Sequence, residues 1–187
     1  MKMCAHRALW AATTMSIILN VSFLLTSSRN VYGEKSESVE SRLQRLEDRE
    51  EIRQLLMDYG RYLDQRDFAS FAALFAENGG EWIGGMGRAK GPTAIRKLMD
   101  DTIGGDAGSK GGGPNCHLFT NDTIHVNGSD ASATTKWIFV VQNSSKQPQP
   151  FYIGHYEDVF VREKGRWKFL KRVVYGDIPH DDPLSRK

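Results

Sequence analysis

A chain of 187 residues that is 40% hydrophobic and 26% charged has room for one domain with a real core, which excludes both a disordered chain and a comfortable pair of domains. The formal net charge is +2, but residues 1–33 contain Lys2, Arg7 and Arg29 and no acid, so removing those three from the 25 basic residues leaves 22 against 23 acidic ones. That near balance excludes the basic footprint of a nucleic-acid-binding protein.

The chain opens with Lys2 and Arg7, then runs apolar from Ala8 to Leu25, interrupted only by Thr13, Thr14, Ser16, Asn20 and Ser22. Val31, Tyr32 and Gly33 follow, a pattern compatible with cleavage after Gly33. Residues 1–33 read as a secretory signal peptide, which predicts a periplasmic or secreted protein. The competing reading is an uncleaved anchor, because a run near 18 residues approaches a spanning length. Membrane contact is expected only in that case. Without the segment Cys116 is the single cysteine, so no intrachain disulfide is available, and it reads as a buried strand cysteine rather than a nucleophile.

A polar linker over 34–40 leads into a helix over 39–66, where Ile52, Leu55, Leu56, Tyr59 and Leu63 recur at helical spacing and charges of both signs cover the outer face. At about 100° per residue Asp64 falls roughly 120° from Ile52, on the flank of that stripe, and Gly60 lies one turn earlier on nearly the same flank. A carboxylate there reads either as a solvated residue in the last helical turn or as one that looks into a cavity. Asp67 is placed to cap a second helix, 68–76, and Gly91-Pro92 to open a third, 93–102. Between them Trp82 lies in a short strand, 81–83.

Seven of the eleven residues in 104–114 are Gly or Pro. No strand of a dinucleotide-binding unit precedes them and no Lys-Ser/Thr pair follows, so the stretch reads as a mobile loop or lid and not as a phosphate cradle. Four strands are predicted at 115–126, 131–143, 151–162 and 166–177, with tight turns at Asn127-Gly128 and Lys164-Gly165, before a polar tail at 179–187. Three helices followed by a meander predict an α+β domain over 41–178, its helices covering one face of a curved, mainly antiparallel sheet that wraps a pocket.

Alternation along the first long strand puts His117, Phe119 and Asn121 on one face and Leu118, Thr120 and Ile124 on the other. If the first face is concave, His117 and Asn121 share a space with Asp64. The carboxylate would then orient the imidazole, the ring would exchange a proton near neutral pH, and Asn121 would hold a substrate oxygen. The competing reading of His117 is a structural strand histidine. His125 falls at the strand's rim and His180 in the tail. No HxH, HExxH or paired-cysteine spacing is present, so no metal is expected. Trp82, Trp137, Phe139 and Phe151 suggest a wall for an apolar or aromatic ligand, although they would serve equally as core.

Several motifs combine over residues 45–178. They are the Asp48–Leu55 helix entry, Tyr59 five residues before Asp64, Lys90-Gly91-Pro92, His117 with Thr120-Asn121, Gly154-His155-Tyr156, and Gly165-Arg166-Trp167-Lys168-Phe169. Together they resemble the SnoaL-like branch of the NTF2-like superfamily, especially its scytalone dehydratase and hexachlorocyclohexane dehydrochlorinase types. The resemblance implies a cone-shaped α+β barrel with a deep apolar pocket and a cofactor-free lyase, dehydratase or isomerase acting on a small cyclic, polyketide- or steroid-like molecule. It implies Asp64 and His117 as the catalytic dyad, Tyr59 at the position where the dehydrochlorinase has a lysine, and Tyr156 where the fungal dehydratase has an asparagine. Arg162 and Arg172 are its two candidates for an arginine near the leaving group. Two departures stand out: no histidine occurs near residues 139–142, where the dehydratase has its second, and Tyr59 in place of lysine argues against halide loss. The alternative is a non-catalytic ligand-binding domain, since this fold carries many functions. An open sheet face of this kind predicts a homodimer or homotrimer.

Overall fold

A computed structural model describes residues 37–104 and 114–185. Residues 1–33, expected from the sequence to be a signal peptide, and residues 105–113 of the glycine-rich stretch lie outside the described residues. The fold is that of the unit Glu40–Lys187. Helix α1 (Val39–Gln65) buries Ile52, Leu55, Leu56, Tyr59 and Gly60, the stripe set by the apolar spacing. It ends in a hydrogen-bonded reversal, with Arg66 N–H donating to Leu63 O and Asp67 N–H to Tyr62 O, which is the Schellman pattern. Asp67 then caps α2 (Phe68–Ala72) by accepting from Ser70 N–H.

Helix α2 is shorter than the apolar pattern predicts. Ala76 N–H donates to Phe169 O and Phe169 N–H to Leu74 O, so residues after Ala72 pair with the sheet instead of extending the helix. Strands β1 (Glu81–Gly84) and β2 (Gly87–Lys90) form a small hairpin. The sequence reading gave only the first, because Gly-Arg-Ala-Lys offers one buried residue, Ala89, and no alternation to recognise. Helix α3 (Pro92–Thr102) follows.

The long strands are β3 (Asn115–Asn127), β4 (Asp130–Gln142), β5 (Pro148–Glu163) and β6 (Arg166–Ile178). The six strands lie in the order β2-β1-β6-β5-β4-β3, antiparallel throughout except for β1 beside β6. The result is an open, curved α+β cone and not a closed barrel. In the β5–β6 turn Lys164 and Gly165 both have positive φ, 53° and 79°, as a two-residue hairpin turn requires. Phe71, Phe75, Phe160 and Phe169 are almost fully buried between helices and sheet, each adding about 1.5–3 kcal/mol of transfer free energy. The last described residues are not a free tail: Asp181 and Gly176 exchange backbone hydrogen bonds of 2.8 and 2.9 Å.

Candidate active site

The concave side of the sheet holds a half-open cavity of about 870 Å³. Its wall includes the aromatic residues Trp82, Trp137, Phe139, Phe151, Tyr152 and Tyr156, and His117 lines it from β3. His117 Nδ1 lies 2.6 Å from Asp64 Oδ1, and the His117 backbone N–H donates to Asp64 Oδ2 at 2.9 Å. A carboxylate accepts and does not donate, so in a neutral ring beside it Nδ1 carries the proton and Nε2 keeps its lone pair. The ring rests on Phe139, with centroids 4.6 Å apart. Asp64 itself does not line the cavity; it stands behind the imidazole and fixes its direction.

Gly60 makes this approach possible. A Cβ there would come within 2.4 Å of Phe119 Cε2 and 3.5 Å of His117 Cβ. The missing side chain lets β3 pack directly on α1, one helical turn from Asp64.

Below the cavity, Tyr59 accepts a hydrogen bond from Trp82 Nε1 at 2.9 Å, so its own O–H remains available to donate. Burial raises the phenol pKa of Tyr59, against the lowering pull of the Arg172 charge, and raises that of Tyr156 well above its usual value. Both therefore stay protonated donors. Arg172 is fully buried, bonded to Asp158 through Nε and Nη2 at 2.7 Å each. Its guanidinium sits 3.9 Å from the Tyr59 ring centroid and 4.1 Å from that of Tyr156. Burial acts against that charge, but the Asp158 carboxylate outweighs it and raises the guanidinium pKa. A buried ion pair thus underlies two phenols that reach the cavity, its guanidinium against their rings.

The SnoaL-like domain family matches residues 44–173, most of the described chain. The protein belongs to the SnoaL-like family. An uncharacterized protein of Mycobacterium tuberculosis is 26% identical over 130 residues, covering 68% of this chain and 84% of its own. An NTF2-like protein with a cystatin-like fold from Novosphingobium aromaticivorans superposes with a TM-score of 0.64 at 27% identity, covering 76% of this chain and 90% of that one. A scytalone dehydratase-like protein from the same organism gives a TM-score of 0.59 at 21% identity, covering 80% and 99%, a likeness of fold. SnoaL-like proteins include cofactor-free isomerases, cyclases and dehydratases.

Within this SnoaL-like fold the residues singled out from sequence divide into two groups. His117, Tyr59, Trp82 and Tyr156 line the cavity, with Asp64 directly behind. Asn121 does not join them. A bulge between Thr120 and Thr123, with Asn121 at φ 53°, shifts the register by one residue and turns Asn121 out to solvent while Ile124 turns in. Arg162 is also elsewhere, bonded to Asp48 and stacked 4.7 Å over Trp167. Arg172 lies beneath the wall, separated from the cavity by the tyrosine rings it touches. Cys116 is exposed, not buried, because the outward phase of β3 has no layer over it. Two charged lining residues escaped sequence reasoning. Arg66 comes from the α1–α2 turn, and Asp181, folded back beside Gly176, comes from the polar tail. Among the described residues no group of three His, Cys, Asp or Glu side chains converges as a metal site.

Proposed function

We propose that this SnoaL-like protein is a cofactor-independent lyase, dehydratase or isomerase that moves a proton on a small cyclic, largely apolar substrate. The observation that carries the reading is the His117–Asp64 pair at 2.6 Å facing a cavity large enough for a multi-ring molecule. In this reading His117 Nε2 removes a proton from carbon next to a carbonyl or leaving group. Asp64 holds the ring and stabilises the imidazolium that forms. Tyr59 and Tyr156 donate to the oxygen on which negative charge develops, and the Arg172–Asp158 pair beneath their rings holds the two phenols in place. His117 then returns the proton, either to another carbon in an isomerisation or to a departing hydroxyl in a dehydration.

Deuterium exchange into 1-tetralone in D2O, followed by proton NMR, tests the first step without knowledge of the natural leaving group. Loss of the α-proton signal with wild type and not with His117→Ala is the expected result. Binding of the ketone with no exchange above background would leave a ligand carrier instead. Export and assembly are proposed alongside: the mature chain begins at Glu34, as its intact mass after secretion would show, and it is a dimer or trimer, as light scattering would show.

A further inference from the structure

Of the side chains lining the cavity, Arg66 has the least explained position. It sits at φ 57°, in the left-handed region where the reversal after a helix ordinarily takes glycine and where a residue with a Cβ costs about 1–2 kcal/mol. It is only 9% exposed. Nη1 donates to Ile103 O at 2.8 Å and to Gly104 O at 3.2 Å. Those two bonds tie the end of α3 to the α1–α2 turn but leave the rest of the fork unused. Nε and Nη2 have no hydrogen-bond partner among the described residues, and the residue lines the cavity.

Among the described residues no carboxylate lies within ion-pair distance of Arg66. Asp181, the other charged residue of the lining, lies against Gly85 and Gly176 instead. A largely buried guanidinium with no counter-charge among the described residues is unfavourable unless something supplies one. Its planar pair of N–H groups matches a carboxylate two-on-two.

We infer that Arg66 binds a carboxylate on the ligand, so that the cavity takes cyclic or aromatic carboxylic acids, with the acid group at the α1–α2 turn and the ring against the tryptophan and phenylalanine wall. This names the substrate class for the acid–base site and rests on that reading only for the chemistry, not for the binding.

The probes are 2-naphthoate and 2-naphthamide, equal in ring and nearly equal in shape, titrated into the full chain and followed by calorimetry. Wild type binds the carboxylate at least about tenfold more tightly than the amide, as hydrogen bonds to a charged group imply. Arg66→Gln abolishes the ratio while keeping amide affinity within about twofold, which a purely structural arginine would not produce. His117→Ala keeps the ratio. Equal affinities in wild type, no binding of naphthoate, or an unchanged ratio in Arg66→Gln overturns the inference. If Arg66→Gln does not fold, Arg66→Lys decides: the ratio falls severalfold because the fork is lost, and an unchanged ratio overturns the inference. Failure of the deuterium-exchange test with an intact ratio removes the catalytic reading and leaves the carboxylate site. Exchange with no ratio does the reverse.

Discussion

Two histidine–carboxylate pairs of nearly the same length stand on opposite faces of one sheet. His117 Nδ1 is 2.6 Å from Asp64 and His155 Nδ1 is 2.7 Å from Asp177. Their surroundings differ. Asp64 gives both oxygens to one residue, the His117 ring and its backbone N–H, and the ring borders the half-open cavity. Asp177 divides its oxygens between His155 and Lys136 at 2.6 Å, and the His155 ring stacks on Tyr175 at 4.7 Å and 8° beside solvent. The same pair of groups borders a cavity in one place, where we propose it as a base, and is part of a surface charge network in the other. A proton-transfer site is defined by what surrounds the pair.

The largest expected effect separates the two histidines by turnover. His117→Ala lowers kcat/KM by about 10²–10⁴-fold, the range for a lost general base, while His155→Ala stays within about twofold; comparable losses in both would break the distinction. Next, Asp64→Asn lowers kcat by at least roughly tenfold, and the double variant with His117→Ala is no slower than His117→Ala alone, because the two act as a unit. Additive losses in that cycle would separate Asp64 from the ring it orients. Smaller again, Gly60→Ala destabilises by about 1–3 kcal/mol through overpacking, read by urea unfolding, and lowers turnover by displacing Phe119 and His117.

The smallest effect belongs to the outer pair. Partial burial alone would raise the Asp177 carboxyl, but hydrogen bonds from Lys136 and His155, with their charges, bring its pKa below the ordinary value. A lowered folded pKa contributes stability that is present above the unfolded value of about 4 and lost as pH falls through the folded one. Asp177→Asn should therefore melt slightly below wild type at pH 7, and the gap should close below about pH 4. A gap that persists at pH 2.5 would mean that packing, not charge, holds that pair.

Much of this was legible from residue spacing. The α1 stripe, Gly60 and Asp64 on one flank, and the Lys164-Gly165 turn follow from helix periodicity and positive φ, which are local properties. Asn121 was not legible, because a one-residue bulge reverses the phase of a strand without changing the apparent alternation of its sequence. Arg66 and Asp181 were not legible either. Each reaches the cavity through a reversal, at the α1 end and beyond β6, and reversals decide direction after the periodic pattern has stopped. Arg162 and Arg172 each had a carboxylate partner, Asp48 and Asp158, that only the paired strands and the helix bring near.

The contact of Gly60 with Phe119 links two positions in descent as well as in space. A lineage that gains a side chain at 60 must shrink the residue at 119 or let the strand withdraw, and withdrawal takes His117 away from Asp64. Among relatives that keep the acid–base pair, a bulky residue at 60 should therefore occur only beside a small one at 119, so the two columns of an alignment would change together.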